Sequence, residues 1–130
     1  MKDIDSSPSL SAEGNDSRAI AQVVHESVRA YKQALGEHTI PVWDDAPQWM
    51  RKSTLNAVRS RRDDPEAPPR AQHEAWMAQK EANGWCFGPT RDPGNKTHPM
   101  MVPYEQLPST ERYKDALIQA VVDVLSYPID

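Results

Sequence analysis

With 130 residues, a single cysteine, 38% hydrophobic residues and 12 prolines, the chain is sized for one hydrophobic core punctuated by stiff turns. Its net charge is −4. Much of that lies near the N-terminus, where Lys2 stands against Asp3, Asp5, Glu13 and Asp16, and the near-neutral remainder lacks the broad positive field of a general nucleic-acid binder. There is no apolar run of membrane-spanning length, no apolar N-terminal stretch of signal-peptide type and no cysteine pair, so the expectation is a cytoplasmic protein without membrane contact.

Residues 1–15 are rich in Ser, Asp, Gly and Asn and are expected to form a disordered acidic tail. Residues 16–130 are expected to form one domain. Its first helix is "DSRAIAQVVHESVRAYKQALG", in which Ile20, Val24, Val28, Tyr31 and Leu35 share a stripe. Asp16 or Ser17 is placed to cap it and Gly36 to end it in the left-handed conformation. An irregular connection with two tryptophans follows. Asp44 or Asp45 then caps a second helix to about Arg62, with Pro47 in its first turn and Trp49, Met50, Leu55 and Val58 on its apolar side.

After the breaker "DDPEAPP", a third helix covers "RAQHEAWMAQKEAN" and stops at Gly84. "WCFG" and "HPMMV" read as two short strands joined by a long loop, an antiparallel hairpin with Cys86 buried between Trp85 and Phe87. A fourth helix, "PSTERYKDALIQAVVDVLS", has Ser109 as its cap and Tyr113, Leu117, Val121, Val124 and Leu125 as its inward face. The fold class is therefore mainly α, about four helices with a small antiparallel β element.

Chemistry is sparse along this chain. His73 and Glu74 begin a zinc-protease helix pattern, but Met77 occupies the place of the second histidine. Scattered histidines and one cysteine do not build a metal centre, and no glycine loop of phosphate-cradling type is present. Neither a metal nor a cofactor is expected, and no nucleophile has an evident base, so an enzyme is the less favoured class. The loop "GPTRDPGNKTHP" stands out instead. Arg91, Lys96 and His98 offer donors to phosphate or carboxylate, Asp92 offers an acceptor, and tryptophans nearby offer stacking faces. The competing reading is that Asp92 pairs with Arg91 or Lys96 and only pins the loop.

The stretch from His73 to Arg112 resembles the RyR domain, the repeat first described in ryanodine receptors and also found in bacterial and phage proteins. The matching residues are His73, Glu74, Trp76, Gly84, Trp85, Phe87, Gly88, Pro89, Arg91, Asp92, Lys96, His98, Pro99, Val102, Tyr104 and Leu107. With the upstream segment "IPVWDDAPQWMRKSTLNAV", the resemblance extends over roughly residues 18–126. Phe87 stands where the family usually has tyrosine, and Met100 and Met101 where leucine or cysteine is common. The resemblance implies a mainly helical fold, and roles in signalling or defence in which such domains bind adenine nucleotides or nucleotide-derived messengers.

The resulting expectation is a non-enzymatic binding module for a nucleotide-like ligand, acting as a sensor or a sequestering protein. Trp85 and Phe87, or Trp43 and Trp76 across a groove, would wall the base. Arg91, Lys96 and His98 would meet phosphate, and Asp92 and Tyr104 would fix orientation. The alternative is a protein-interaction module that needs no small ligand; in either case the chain could form a homo-oligomer.

Overall fold

The computed structural model describes residues 16–127; the expected acidic tail of residues 1–15 lies outside them. Four helices carry the chain: α1 (Ser17–Ala34), α2 (Gln48–Asp63), α3 (Pro69–Ala82) and α4 (Ser109–Ser126). Two-residue strands β1 (Cys86–Phe87) and β2 (Thr97–His98) lie between α3 and α4, and 3-10 turns occupy Trp43–Asp45 and Tyr104–Gln106. The fold is mainly α, as the helical spacing requires.

α1 begins where its sequence says it should. The Asp16 carboxylate accepts the Ala19 N–H at 2.8 Å, a cap contributing about 1 kcal/mol. It ends at Gly36, whose φ is +93°. Ile20, Ala21 and Val24 of α1 pack with Trp43, Val58 of α2 and Val122 of α4 to form the buried cluster, flanked by Val28, Leu55, Ile118, Val121 and Leu125. Side chains of α1 also fasten the connection to α2: His25 Nε2 donates to the Pro41 carbonyl at 2.7 Å, and the Trp43 N–H donates to Glu26 Oε2 at 2.7 Å. A bidentate bridge from Arg61 to Asp123, with bonds of 2.8 and 2.7 Å, ties α2 to α4.

Five expectations need correction. α2 starts at Gln48 with Pro47 in the cap position, whereas Asp44 and Asp45 belong to the separate 3-10 turn. The cause is Pro47, which holds Ala46 in an extended conformation and so breaks the helix in two. Ser109 is the first residue of α4 and Pro108 its cap.

On α4 the buried residues are Asp115, Gln119, Val122 and Ser126. Tyr113 and Val124 are exposed, and Leu117, Val121 and Leu125 are half-buried. The buried stripe of α4 is mostly polar, which an apolar periodicity cannot reveal.

The strands are parallel, with Cys86 opposite Thr97 and Phe87 opposite His98. A hairpin reverses the chain once; here it reverses twice. Asp92 and Thr97 form an antiparallel bridge of their own, exchanging bonds of 2.9 and 3.1 Å, so β2 enters its place already turned back toward β1. Pro99, which has no N–H, stops the ladder after His98. Cys86 is exposed, because a two-residue strand at the surface has no second layer over it.

Candidate functional site

The end of α3 sets the position of the loop. Gly84 adopts φ +87°, which lets Trp85 N–H reach back to the Lys80 carbonyl at 3.0 Å and points the chain into β1. Lys96, itself at φ 56°, donates its ammonium to the Asn83 carbonyl at 2.8 Å and fastens the far side of the loop to the same helix end. Asp92 organises the turn within: Oδ1 accepts from Gly94 N–H at 3.1 Å and Asn95 N–H at 3.3 Å, and Oδ2 from the Asn95 side chain at 2.8 Å. These bonds hold the Asp92 carboxyl below the usual range. Asp92 does pin the loop, through Asn95 and Gly94 and with no ion pair to Arg91 or Lys96.

Gly88 is the tightest point of this construction. A Cβ there would overlap the Cβ of Thr97 and lie 2.8 Å from its Oγ1, which donates to the Thr90 carbonyl at 3.1 Å. Gly88→Ala is expected to destabilise the protein by about 1–3 kcal/mol through overpacking and to open the β1–β2 ladder. Urea unfolding together with hydrogen exchange of the Cys86 and Thr97 amides checks this; unchanged stability and protection would refute it.

Between α1, α2, α3, α4 and this loop lies a cleft of about 610 Å³. At its exposed end, Lys80 of the last turn of α3 and Arg91 of the loop stand among tryptophans. Lys80 Nζ is 4.4 Å from the Trp85 ring centre and 5.3 Å from that of Trp49, and the Arg91 guanidinium is 5.2 Å from Trp49 and 6.0 Å from Trp85. Both cations thus lie against the negative faces of indole rings. Among the described residues neither has a carboxylate partner, whereas Arg29, Lys32, Arg61, Arg70 and Lys114 each do. Burial and the adjacent Arg91 charge lower the Lys80 pKa.

His98 lines the cleft beside them, edge-on to Trp76 with ring centres 5.0 Å apart. Its Nδ1 accepts the Met100 N–H at 3.0 Å, leaving the ring proton on Nε2. Burial, then the charges of Lys80, Arg91 and Lys114, push His98 down to about 4 against the opposing Glu111, so it is a neutral donor at neutral pH.

An ion network also lines the cleft. Glu111 of α4 accepts from Lys32 of α1 and, at 2.8 Å, from Lys114; Tyr31 of α1 donates to the Thr110 carbonyl at 2.8 Å. Burial opposes the Glu111 charge, but Lys114 and Lys32 outweigh it and hold the carboxyl at about 2. The buried wall of the cleft includes Gln72, His73 and Asp115. His73 Nε2 donates to the Val102 carbonyl at 2.6 Å.

Of the nine residues singled out in the sequence, Trp76, Arg91 and His98 line the cleft, and Trp85 reaches it through Lys80 and Arg91. Asp92 and Lys96 are engaged in the loop, as described. Trp43 is 7% exposed, packed edge-on against His25 at 5.6 Å. Phe87 is 58% exposed and Tyr104 stacks under Arg70 at 5.4 Å. Trp49, expected on the apolar side of α2, and Lys80, Gln72, Asp115 and Glu111, which carried no expectation of a site, line the cleft as well. One signal was available: Gln72, Trp76 and Lys80 recur every fourth residue and so share one face of α3.

No helix among the described residues is long and apolar enough to cross a membrane, and no three His, Cys, Asp or Glu side chains among them form a metal-holding group. Residues 66–127 match the family model for the RyR domain. The upstream part of the expected resemblance, from residue 18, lies outside the match. The chain carries a RyR domain over α3, the strand pair and α4.

Proposed function

For a chain carrying a RyR domain, we propose a non-catalytic binding module that seats a small planar anion of nucleotide type in the cleft. The carrying observation is the pair Lys80 and Arg91, held among Trp49 and Trp85 without a carboxylate partner among the described residues. Two unneutralised cations in a partly apolar site favour an anion, and phosphate in particular suits the guanidinium fork. The indoles supply stacking faces for a base, each contributing about 1–3 kcal/mol. His98 adds a neutral N–H. With Nδ1 committed to Met100 N–H, it has no free ring lone pair to act as a general base, which supports binding over catalysis.

The test is calorimetric titration of adenine nucleotides, ADP-ribose and cyclic oligonucleotides at two salt concentrations. Arg91→Ala is expected to weaken the best ligand by about tenfold to a hundredfold, the value of one charge-assisted hydrogen bond, and added salt is expected to weaken it further. Absence of binding by every ligand, with clear self-association of folded protein, would refute the proposal and favour the protein-interaction reading, which the exposed Phe87 supports.

A further inference from the structure

Among the described residues, six polar or charged ones are buried: His25, Gln72, His73, Asp115, Gln119 and Ser126. Four have partners. His25 and His73 donate to the Pro41 and Val102 carbonyls, Gln119 donates to the Pro68 carbonyl at 3.1 Å, and Ser126 to the Val122 carbonyl at 2.5 Å. Gln72 and Asp115, 7% and 5% exposed, make no side-chain hydrogen bond to any described residue, and Asp115 Oδ2 is fully buried without a partner. Both line the cleft, one from α3 and one from α4. Buried polar groups are nearly always satisfied, and leaving one unpaired is costly. Gln72 and Asp115 are thus the two of the six without a side-chain partner, and both face one cavity; Arg112 Nε, the other fully buried side-chain atom without a partner among the described residues, does not line it.

We propose that Gln72 and Asp115 form a second subsite on the buried wall of the cleft, which takes the polar edge of an uncharged planar head group carrying an N–H donor beside an acceptor, as in a carboxamide. The inference rests on the reading of the cleft as a ligand site and adds the chemistry of the ligand's other end. A carboxamide offers one donor group and one acceptor, and so does a protonated carboxyl; each pairs at two points with such an edge. Burial favours the uncharged form of Asp115, as does Glu111, against the pull of Lys114, bringing the group to about 7. Lys32 of α1 and His73 of α3 line the same cavity, Lys32 held by Glu111 and His73 by Val102. The ligand thus has an anionic end at Lys80 and Arg91 and an uncharged, hydrogen-bonding end at the wall.

A matched pair of probes tests this: phenyl phosphate, and 3-carbamoylphenyl phosphate, which adds only the amide edge. By calorimetry the carbamoyl compound is expected to bind the native protein about tenfold tighter. In Gln72→Leu and in Asp115→Leu that preference is expected to fall to within about twofold while phenyl phosphate binds as before; Arg91→Ala should weaken both probes alike. Equal binding of the two probes to native protein, or a preference that survives both leucine substitutions, would overturn the subsite. Benzamide, which has the edge without a phosphate, separates the two claims: amide NMR shifts at the Gln72 side chain on titration, lost in Asp115→Leu, uphold the wall even where no phosphate binds. Absence of those shifts would overturn the wall while leaving the anion reading intact.

Discussion

Glu111→Ala is expected to cost the fold about 3 kcal/mol at pH 7, the low end of the range for breaking a buried ion pair. Glu111 and Lys32 are each 13% exposed at the side chain, and Lys114 27%. Removing the carboxylate leaves two ammonium groups at the α1–α4 contact, the nearly buried Lys32 keeping only the longer 3.6 Å pairing to Glu37. The titration of the native protein gives a second route to the same magnitude. A carboxyl lowered from 4.5 to about 2 carries roughly 3 kcal/mol in favour of the folded state. Because its folded pKa lies below the unfolded one, that stability is complete above pH 4.5 and is lost as the pH falls toward 2. Guanidinium unfolding of the native and Glu111→Ala proteins at pH 7 and pH 3 decides the matter: the gap at pH 3 should be about half that at pH 7 or less. A loss below about 1 kcal/mol at pH 7 would place the pair among surface ion pairs and refute the argument.

Asp115→Asn is expected to have the opposite sign. Asp115 rises from 3.8 to about 7, through burial and Glu111 against Lys114, so the folded state binds its proton more tightly than the unfolded chain does. Its contribution is fully present below pH 3.8 and is lost as pH rises through 7. At pH 8 the native protein therefore holds a buried carboxylate that the asparagine variant replaces with a neutral group of the same shape, and a gain of about 2–4 kcal/mol follows. The gain should shrink toward zero by pH 4.

His98 works against this limb. Its folded value of about 4 lies below the unfolded 6.5, so its stability is present above pH 6.5 and lost as pH falls to 4. The native protein should therefore gain stability as the pH drops from 8 to about 6.5, hold level to about 4.5, and lose it below as Glu111 protonates. Asp115→Asn should lack the initial rise and decline from pH 6.5 downward. Thermal unfolding across pH 3–8 reads both curves; a variant less stable than the native protein at pH 8 would show that the Asp115 carboxylate serves the fold.

The helices could be read from the sequence because their signals are local: the Asp16 cap, the terminating glycines Gly36 and Gly84, and apolar stripes such as Ile20–Val24. α4 was visible as a helix but its inward face was not, since Asp115 and Gln119 are buried by what packs on them and not by their own polarity. The direction of β2 depended on a turn held by Asp92 and Asn95, whose side-chain bonds no strand pattern encodes. In the site, Arg91, His98 and Trp76 were legible because they crowd one stretch of chain. Trp49, Lys80, Gln72 and Asp115 come from three helices and meet only through tertiary packing, so each reads alone as an ordinary core or surface residue.

The division of labour between the RyR segment and the rest of the chain bears on how such a segment can be inherited. Of the six residues in the buried cluster, Val122 alone lies within residues 66–127; Ile20, Ala21, Val24, Trp43 and Val58 precede them. The segment holds Lys80, Arg91, Gln72 and Asp115, but Trp49, which shares the cations, lies upstream. The recognisable unit and the folding unit are therefore different lengths. A gene rearrangement that moved residues 66–127 alone would carry most of the polar groups of the cleft and leave α4 with α3 but without α1 and α2, which supply most of the buried apolar cluster it packs on. Packing asks of those helices apolar volume in the right places, but also the few side chains that reach into the segment, Lys32 at Glu111, Arg61 at Asp123 and Trp49 at the cations, so helices of unrelated sequence could replace them only by supplying equivalents of these.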